Sequence, residues 1–343
     1  MLKLFKLFAL IFLPSLLAYG EPVNVLFIGN SYTYVNNLPD LFRQLAASGG
    51  KSVYTDSYSP GGYAFENHLK DSTALAKINL DIWNYVVLQE QSQIPVIDYL
   101  RYHSMYPSGR SLDSIIKSHN ASTIFYMTWG RRYGGQQCID TSCSPVFTDF
   151  FHMQDSLKSA YCELAQMVNS SVAPVGEAFR RAKQLNGDID LWENDNSHPS
   201  LKGSYLAACI FYAKIFGQSP VGLGYTAGLS AEDALFLQTA AAQTPLIAGD
   251  NGAIHASDFY LYQNYPNPFN SGTNIRFALN RRSHVQIFLY NIQGRLIREI
   301  LNDDFPDGIH TINFNASDIS SGVYFFRLQA GENFLTKKFV IVK

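Results

Sequence analysis

The sequence is poor in charged residues and has no excess of positive charge. Only 16% of its 343 residues are charged, and 26 lysines and arginines against 28 acidic residues leave a formal net charge of −2. A basic field is what holds a polyanion, so nucleic acid is not an expected partner. A hydrophobic fraction of 47% excludes a disordered or fibrous chain.

Long apolar runs and metal-binding cysteine patterns are also missing. Beyond the first twenty residues no stretch is long and apolar enough to cross a bilayer, so no stable membrane span is expected. The four cysteines form no CxxC pair and no Cys/His cluster, so no metal site is indicated. Cys138 and Cys143 bracket a short polar loop at a spacing that can close a disulfide, and the sequence leaves open whether they do.

Residues 1–20 have the pattern of a signal peptide. Lys3 and Lys6 precede the apolar run Leu7–Leu17, and small residues stand at positions 18 and 20. A positive start, a short apolar segment and a small-residue cleavage site are typical of secretory leaders, whereas a membrane anchor needs a longer run. The mature chain is predicted to begin near Glu21, outside the cytoplasm.

The rest of the chain changes periodicity once. Over 21–244, short apolar runs alternate with amphipathic segments, which predicts a parallel sheet covered by helices on both faces. Residues 245–258 have the composition of a linker. Over 259–343, six short runs of period two between turn residues predict a small antiparallel sandwich.

The C-terminal segment carries a specific motif. Asn264-Tyr265-Pro266-Asn267-Pro268-Phe269-Asn270 is followed by GRLI and SGVYFFRLQAG and by a final KKFVIVK. This segment resembles the C-terminal sorting domain of type IX secretion substrates over its last ~85 residues. The resemblance implies an immunoglobulin-like sandwich, the type IX secretion machinery as a partner, and a secreted or cell-surface protein. A structural accessory sandwich is the alternative.

Two short segments of the first domain have the chemistry of a catalytic site. Ser31 follows the first strand on a Gly-Asn-Ser turn, where its hydroxyl lies at the carboxyl edge of the sheet. Asp195 stands three residues ahead of His198, just before the last helix of the sheet domain. A carboxylate at this spacing can bond the Nδ1–H of the ring and leave Nε2 to accept a proton. The three residues make a nucleophile, an orienting carboxylate and a base.

These motifs resemble the SGNH (GDSL-type) hydrolases over Val23 to about Gly217. The resemblance implies a three-layer α/β/α, flavodoxin-like fold with Ser31 as nucleophile and an oxyanion hole formed by the N–H groups of Ser31 and Gly62, with Gly62 favoured over Gly61. The usual GxND block is replaced by Leu88-Gln89-Glu90-Gln91-Ser92. Gln91 offers the same amide donor as the missing asparagine, with Gln89 as the alternative.

Several neighbouring residues are candidates for substrate binding. Trp129 and Arg131 follow the fourth strand, where the tryptophan could stack on a sugar ring and the arginine could bond an acid or a hydroxyl group. Tyr32 and Tyr63 flank the proposed catalytic turns and are candidates for the wall of the substrate site, and Gln89 is a further candidate. For Trp129 and Arg131, a core aromatic ring and a solvated charge are equally open interpretations.

The function expected from these observations is a secreted serine esterase that needs no metal or organic cofactor. It would hydrolyse O-acyl esters, with O-acetyl groups on carbohydrate favoured and lipid or aryl esters open. Two other classes remain. One is a non-catalytic carbohydrate-binding surface protein, suggested by the missing asparagine of the GxND block. The other is an acyltransferase to a sugar hydroxyl.

Overall fold

The computed structural model describes residues 21–246, 259–264, 266–279, 282–331 and 333–343. The predicted signal peptide (1–20) and residues 247–258 of the predicted linker (245–258) lie outside these ranges. The chain divides into two compact units that separate near residue 247, except that residues 162–171 group with the second unit. Each unit is described by itself below.

The first unit contains a parallel sheet of five strands and a separate two-stranded hairpin. The strands are β1 (Val23–Ile28), β2 (Val53–Tyr58), β3 (Tyr85–Leu88), β4 (Ser122–Tyr126), β5 (Gly135–Ile139), β6 (Ser142–Phe147) and β7 (Ser171–Ala173). The order in the sheet is β2-β1-β3-β4-β7. β1 pairs in parallel with both β2 and β3, and β3 pairs in parallel with β4. The hairpin, β5-β6, follows β4.

Helices connect the strands of the sheet, as the alternating pattern of the sequence predicts. Short 3-10 turns lie at Val35–Asn37 and Ile94–Val96, and a π-helical turn lies at Arg101–Met105. The α-helices are α1 (Ser31–Tyr34), α2 (Leu38–Ser48), α3 (Phe65–Lys70), α4 (Ser72–Ile78), α5 (Asp98–Leu100), α6 (Tyr106–Ser118), α7 (Phe150–Val168), α8 (Val175–Leu185), α9 (Leu201–Phe216) and α10 (Ala231–Ala242).

Helices cover both faces of the sheet. Alternate residues of a strand point to opposite faces, so one strand contributes apolar side chains to both. Phe27 of β1 packs edge-on against Phe42 of α2 and Phe211 of α9. Phe125 of β4 packs instead against Phe65 of α3. Since all five rings are buried, the strands are apolar on both faces. The predicted α/β/α class is confirmed.

Some sequence-based boundaries differ from the structure. The largely apolar segment SVAPVG (171–176) reads as one strand in the sequence, but β7 ends at Ala173 and α8 begins at Val175. Pro174 stands between them as the N-cap of α8, because proline cannot continue a ladder but fits the start of a helix. The β5-β6 hairpin is a further difference, since no strands are predicted there. Its cysteines, Cys138 and Cys143, are joined in a disulfide.

From Phe259 onward the described residues of the second unit form only β-strands and turns, as the period of two predicts. Its two antiparallel sheets have the orders β11-β10-β13-β14 and β12-β9-β8. Phe269, from the proline-rich motif, is 5% exposed and its N–H donates to Val340 O at 3.1 Å. The strands are β8 (Phe259–Leu261), β9 (Gly272–Leu279), β10 (Ser283–Asn291), β11 (Leu296–Phe305), β12 (Gly308–Asn315), β13 (Gly322–Ala330) and β14 (Asn333–Ile341). Within the described ranges, no helix has the length and apolar character that a membrane crossing requires.

Candidate active site

The turn after β1 carries Ser31 at the carboxyl edge of the sheet. α1 begins at Ser31, and the side chain of Asn30 caps it by accepting a hydrogen bond from Tyr32 N at 3.2 Å. Gly29 is required just before it. A Cβ on Gly29 would lie 2.5 Å from Thr33 Oγ1 and 2.6 Å from Gln89 Oε1, which is closer than real Cβ atoms approach. The glycine therefore lets the strand end pack closely against its neighbours.

The loop before α9 holds a histidine and a carboxylate in a fixed arrangement. The backbone N–H groups of Ser197 and His198 both donate to Asp195 Oδ1 at 2.9 Å. The other carboxylate oxygen, Oδ2, bonds His198 Nδ1. Burial would raise the pKa of Asp195, but these hydrogen bonds outweigh it and hold the pKa below its ordinary value. The carboxylate is thus charged and oriented toward the ring.

The nucleophile turn and the histidine loop meet at one hydrogen bond. His198 Nε2 lies 2.8 Å from Ser31 Oγ, although 167 residues separate them in sequence. With Asp195 on Nδ1, the ring holds its proton there and presents Nε2 as an acceptor to the serine hydroxyl. Ser31, Asp195 and His198 are the residues that the sequence nominates for catalysis, and the structure brings them together. Their catalytic role stays a prediction.

The loop after β2 reaches the nucleophile turn through Asn30. Asn30 Nδ2 donates to Tyr63 O at 2.8 Å, which holds the residue after Gly62 beside the turn. Gly62 has φ +74°, in the left-handed region that favours glycine, and Gly61 does not. The side chain of an aspartate at position 30 would have no N–H to donate to Tyr63 O, so this contact requires the asparagine.

The two glutamines after β3 have different surroundings. Gln89 is fully buried, and its Oε1 accepts from Asn30 N at 2.9 Å and Thr33 Oγ1 at 3.0 Å, while its Nε2 donates to Glu90 O. Gln91 Oε1 accepts from Gln93 N at 2.7 Å, and its Nε2 donates one hydrogen to Gln93 Oε1 at 3.1 Å. An amide nitrogen carries two hydrogens, so each glutamine keeps one for another acceptor, but only Gln91 is a side chain that is not fully buried. Gln89 acts as a support for the turn.

Glu90, between these glutamines, is a residue that the sequence analysis did not single out. Its Oε1 accepts from Phe65 N at 3.0 Å and Gln91 N at 2.7 Å, so one oxygen joins the segments that follow β2 and β3. Burial raises the pKa of Glu90 to about 8, against the lowering effect of those two N–H groups. The signal available in the sequence was a carboxylate two residues after a strand that is apolar on both faces.

His68 supports the nucleophile turn from α3. It is fully buried, and its Nε2 lies 2.9 Å from Gly29 O, so the ring donates to that carbonyl. Burial lowers the pKa of His68 to about 4, against the raising effect of this hydrogen bond. His68 is therefore neutral at physiological pH. Nothing in the sequence distinguished it from an ordinary helical histidine.

Trp129 does not have the role that its position suggested. It is 1% exposed, with Tyr32 stacked on one face at 4.7 Å and Phe179 on the other at 4.3 Å. Its Nε1 donates to Ser197 O at 3.0 Å. Neither face is open to a sugar ring, so the stacking prediction is wrong. Tyr32 is also buried, with its ring edge-on to His198, so the geometry makes it a support of the histidine loop.

Comparison with known proteins identifies the kind of domain in the second unit. The family model described as "Secretion system C-terminal sorting domain" matches residues 263–342. This region is a secretion sorting domain. Its presence confirms the resemblance of the C-terminal motif and indicates that the protein is exported. No curated protein matches the chain.

Solved structures resemble the first unit at low identity. A DUF4886 family protein from Bacteroides uniformis is 18% identical and aligns over 65% of this chain and 94% of its own with a TM-score of 0.55. A candidate SGNH hydrolase from Slackia heliotrinireducens is 25% identical over 57% of this chain and 100% of its own with a TM-score of 0.48. A carbohydrate esterase family 3 protein from Talaromyces cellulolyticus is 14% identical over 57% and 97% with a TM-score of 0.43. The similarity at the highest of these scores shows a shared fold and nothing finer.

Proposed function

We propose that the protein is an exported serine esterase that uses Ser31, His198 and Asp195. The observation that carries the proposal is the 2.8 Å contact between His198 Nε2 and Ser31 Oγ, with a carboxylate bonded to Nδ1. In this arrangement His198 takes the proton of Ser31 as the oxygen attacks the ester carbonyl. The same proton then goes to the departing alcohol, and a water activated by His198 releases the acyl group.

The negative oxygen of the tetrahedral intermediate needs hydrogen-bond donors. In the proposed site these are the N–H groups of Ser31 and Gly62 and the second amide hydrogen of Gln91. The bond from Asn30 to Tyr63 and the shared oxygen of Glu90 support this assignment, because they tie the loops of Gly62 and Gln91 to the nucleophile turn. Donors that are held in place before the reaction lower the barrier most.

The proposed substrates are O-acetyl esters of carbohydrates. An exported enzyme encounters carbohydrate polymers outside the cell. Binding of an acetyl group requires little more than the oxyanion donors and a small acyl pocket. The mature chain is proposed to begin near Glu21, with the hydrolase domain over 21–244 and the sandwich over 259–343 after the linker. The sorting domain is proposed to engage type IX secretion machinery after the signal peptide has directed the chain to the periplasm.

An ester panel with matched variants tests the proposal. Hydrolysis of 4-nitrophenyl acetate and acetylated sugars is measured for the wild type and for Ser31→Ala, His198→Ala and Asp195→Asn. The first two should lower kcat by ~10³-fold or more, and the third by less. Ser118→Ala is the matched control, because that hydroxyl lies at the end of α6 and bonds only Ile115 O among the described residues. Near-normal turnover by folded Ser31→Ala would refute the serine mechanism.

The panel also separates the two alternative classes. A non-catalytic binding protein would bind acetylated sugars without releasing acetate in any variant. An acyltransferase would transfer the acetyl group to an added sugar alcohol in preference to water, which product analysis detects.

A further inference from the structure

Arg131 lies where three segments of the candidate active site meet. It follows β4, and its guanidinium donates to Tyr32 Oη at 2.5 Å, Ser92 Oγ at 3.1 Å and Gln137 Oε1 at 3.2 Å. Tyr32 follows the proposed nucleophile, Ser92 follows Gln91, and Gln137 belongs to the β5-β6 hairpin. The side chain is half-buried.

All three acceptors of this guanidinium are neutral. Within the part of the chain that the structure describes, no carboxylate is within salt-bridge distance of Arg131. The next residue differs, because Arg132 pairs with Asp190 at 3.0 Å. A half-buried cation without a counter-ion is costly, and folding alone gives no reason to keep one.

The guanidinium also has donors to spare. An arginine carries five N–H donors, and the three hydrogen bonds above use three of them. These bonds hold the planar group in one orientation without neutralising it. A fork that is fixed and still charged matches the two oxygens of a carboxylate.

The position of Arg131 places this charge beside the proposed reacting groups. The Tyr32 hydroxyl that accepts from Arg131 also bonds Ser197 Oγ at 2.7 Å, and Ser197 directly precedes His198. The Tyr32 hydroxyl therefore links the guanidinium to Ser197, the residue before the proposed base. Tyr32 itself is the residue after the proposed nucleophile. An anion held here would belong to the substrate molecule whose ester is being cleaved.

We propose that Arg131 forms a subsite for a carboxylate of the substrate, so that the preferred ester is an acetylated acidic sugar. This inference rests on the proposed esterase function and narrows its substrate class. Arg131 acts here as a specificity residue, and the chemistry at Ser31 does not require it. A carboxylate on the acyl group is the other possible source of the same charge, and the experiment separates the two.

Three substrates that differ in one group test the subsite. They are the methyl glucoside carrying one acetyl group, the matching methyl glucuronoside, and the glucoside carrying a hemisuccinate in place of the acetate. We expect wild-type kcat/KM to be roughly 10- to 100-fold higher for the acetylated glucuronoside than for the acetylated glucoside, the worth of a hydrogen bond to a charged group. A preference for the hemisuccinate instead would assign Arg131 to the acyl side and overturn the acidic-sugar proposal.

Variants then attribute the preference to Arg131. Arg131→Gln should bring kcat/KM for the two acetylated sugars to within about threefold of each other, because the charge that favours the glucuronoside is gone. Any loss that comes from the missing bonds to Tyr32 and Ser92 affects both sugars equally, so the ratio between the sugars is the quantity to measure. Arg132→Gln should keep the preference, because that cation already has a carboxylate partner. An equal loss on both sugars in Arg131→Gln would show a purely structural role and overturn the proposal.

Two measurements keep the test independent of folding and of the esterase proposal. Raising the salt from about 0.1 M to about 1 M should reduce the wild-type preference, since screening shortens from ~10 Å to ~3 Å. Binding of methyl glucuronoside and methyl glucoside to Ser31→Ala is then measured by calorimetry. Tighter binding of the glucuronoside would support the subsite even if no ester is hydrolysed, and equal binding would overturn it.

Discussion

Glu90→Gln should change how the stability of the first unit depends on pH. Burial raises the pKa of Glu90 from 4.5 to about 8 in the folded protein. Between these values the folded state holds a proton that the unfolded state has lost, so the Glu90 contribution to stability falls as pH rises. The full shift amounts to about 5 kcal/mol, and the slope is about 1.4 kcal/mol per pH unit.

His68 masks part of this slope in the wild type. Its pKa is lowered to about 4 from 6.5, so its contribution to stability is lost as pH falls through that interval. Between about pH 4.5 and 6.5 the two slopes have opposite signs and cancel. Above about pH 6.5 only the Glu90 slope remains, and the wild type loses about 2 kcal/mol by pH 8.

In Glu90→Gln the pH dependence of stability that is due to Glu90 is absent, and the one that is due to His68 remains. The stability of the variant relative to the wild type should increase by about 3 kcal/mol between about pH 5 and pH 7.5. The new amide places an N–H₂ where Glu90 Oε2 has no partner among the described residues. That cost is constant with pH, so the slope is the quantity to measure.

The assay is urea unfolding of the mature protein followed by tryptophan fluorescence. All 3 tryptophans lie in the first unit, so the signal does not report the sorting domain. Glu66→Gln is the matched control, because Lys70 holds the pKa of that exposed carboxyl below its ordinary value and no gain with pH should appear. A difference between Glu90→Gln and wild type that stays constant from pH 5 to pH 7.5 would refute the reasoning.

Three further predictions follow from the site and the domain organisation. Gln91→Ala should lower kcat by ~10²–10³-fold with little change in KM, because an oxyanion donor is lost. Gln89→Ala should instead lower the unfolding free energy by about 1–3 kcal/mol. Equal losses of kcat in the two variants would contradict these separate roles. Asn30→Asp should cost about 1–3 kcal/mol in urea unfolding, because the bond to Tyr63 O is lost and two oxygens then face each other; unchanged stability would show that the bond contributes nothing. Removal of 259–343 should leave esterase activity intact and retain the protein in the periplasm of a host with type IX secretion, measured by cell fractionation; normal export would make the sandwich an accessory.

The sequence predicts the layout of the fold because its patterns are local. The alternation of apolar runs identifies β1 and α2 without knowledge of their partners. The Asp195-to-His198 spacing similarly fixes contacts within one loop. What surrounds a side chain in three dimensions is a different matter, since it depends on residues far away in sequence.

Trp129 and Glu90 show this limit. Both follow strands, where a ligand site is expected. Trp129 is buried by Tyr32 and by Phe179 on α8, and Glu90 finds the N–H of Phe65 at the start of α3. None of these partners is indicated by spacing, and the first turn of α3 was not predicted at all. The position of a residue along a strand can therefore be predicted from the sequence, whereas the residues that contact its side chain cannot.

The disulfide of the β5-β6 hairpin links maturation of the site to the compartment. Its cysteines are only five residues apart, so the bond closes a small ring and the loss of chain entropy in the unfolded state is worth roughly 2 kcal/mol, less than for a longer loop. Cytoplasmic thiols stay reduced, and the bond forms once the chain reaches an oxidising compartment. Gln137 of this hairpin accepts the Arg131 Nε–H. We therefore expect the contact between Arg131 and Gln137 to be more firmly held in an oxidising compartment than in the cytoplasm.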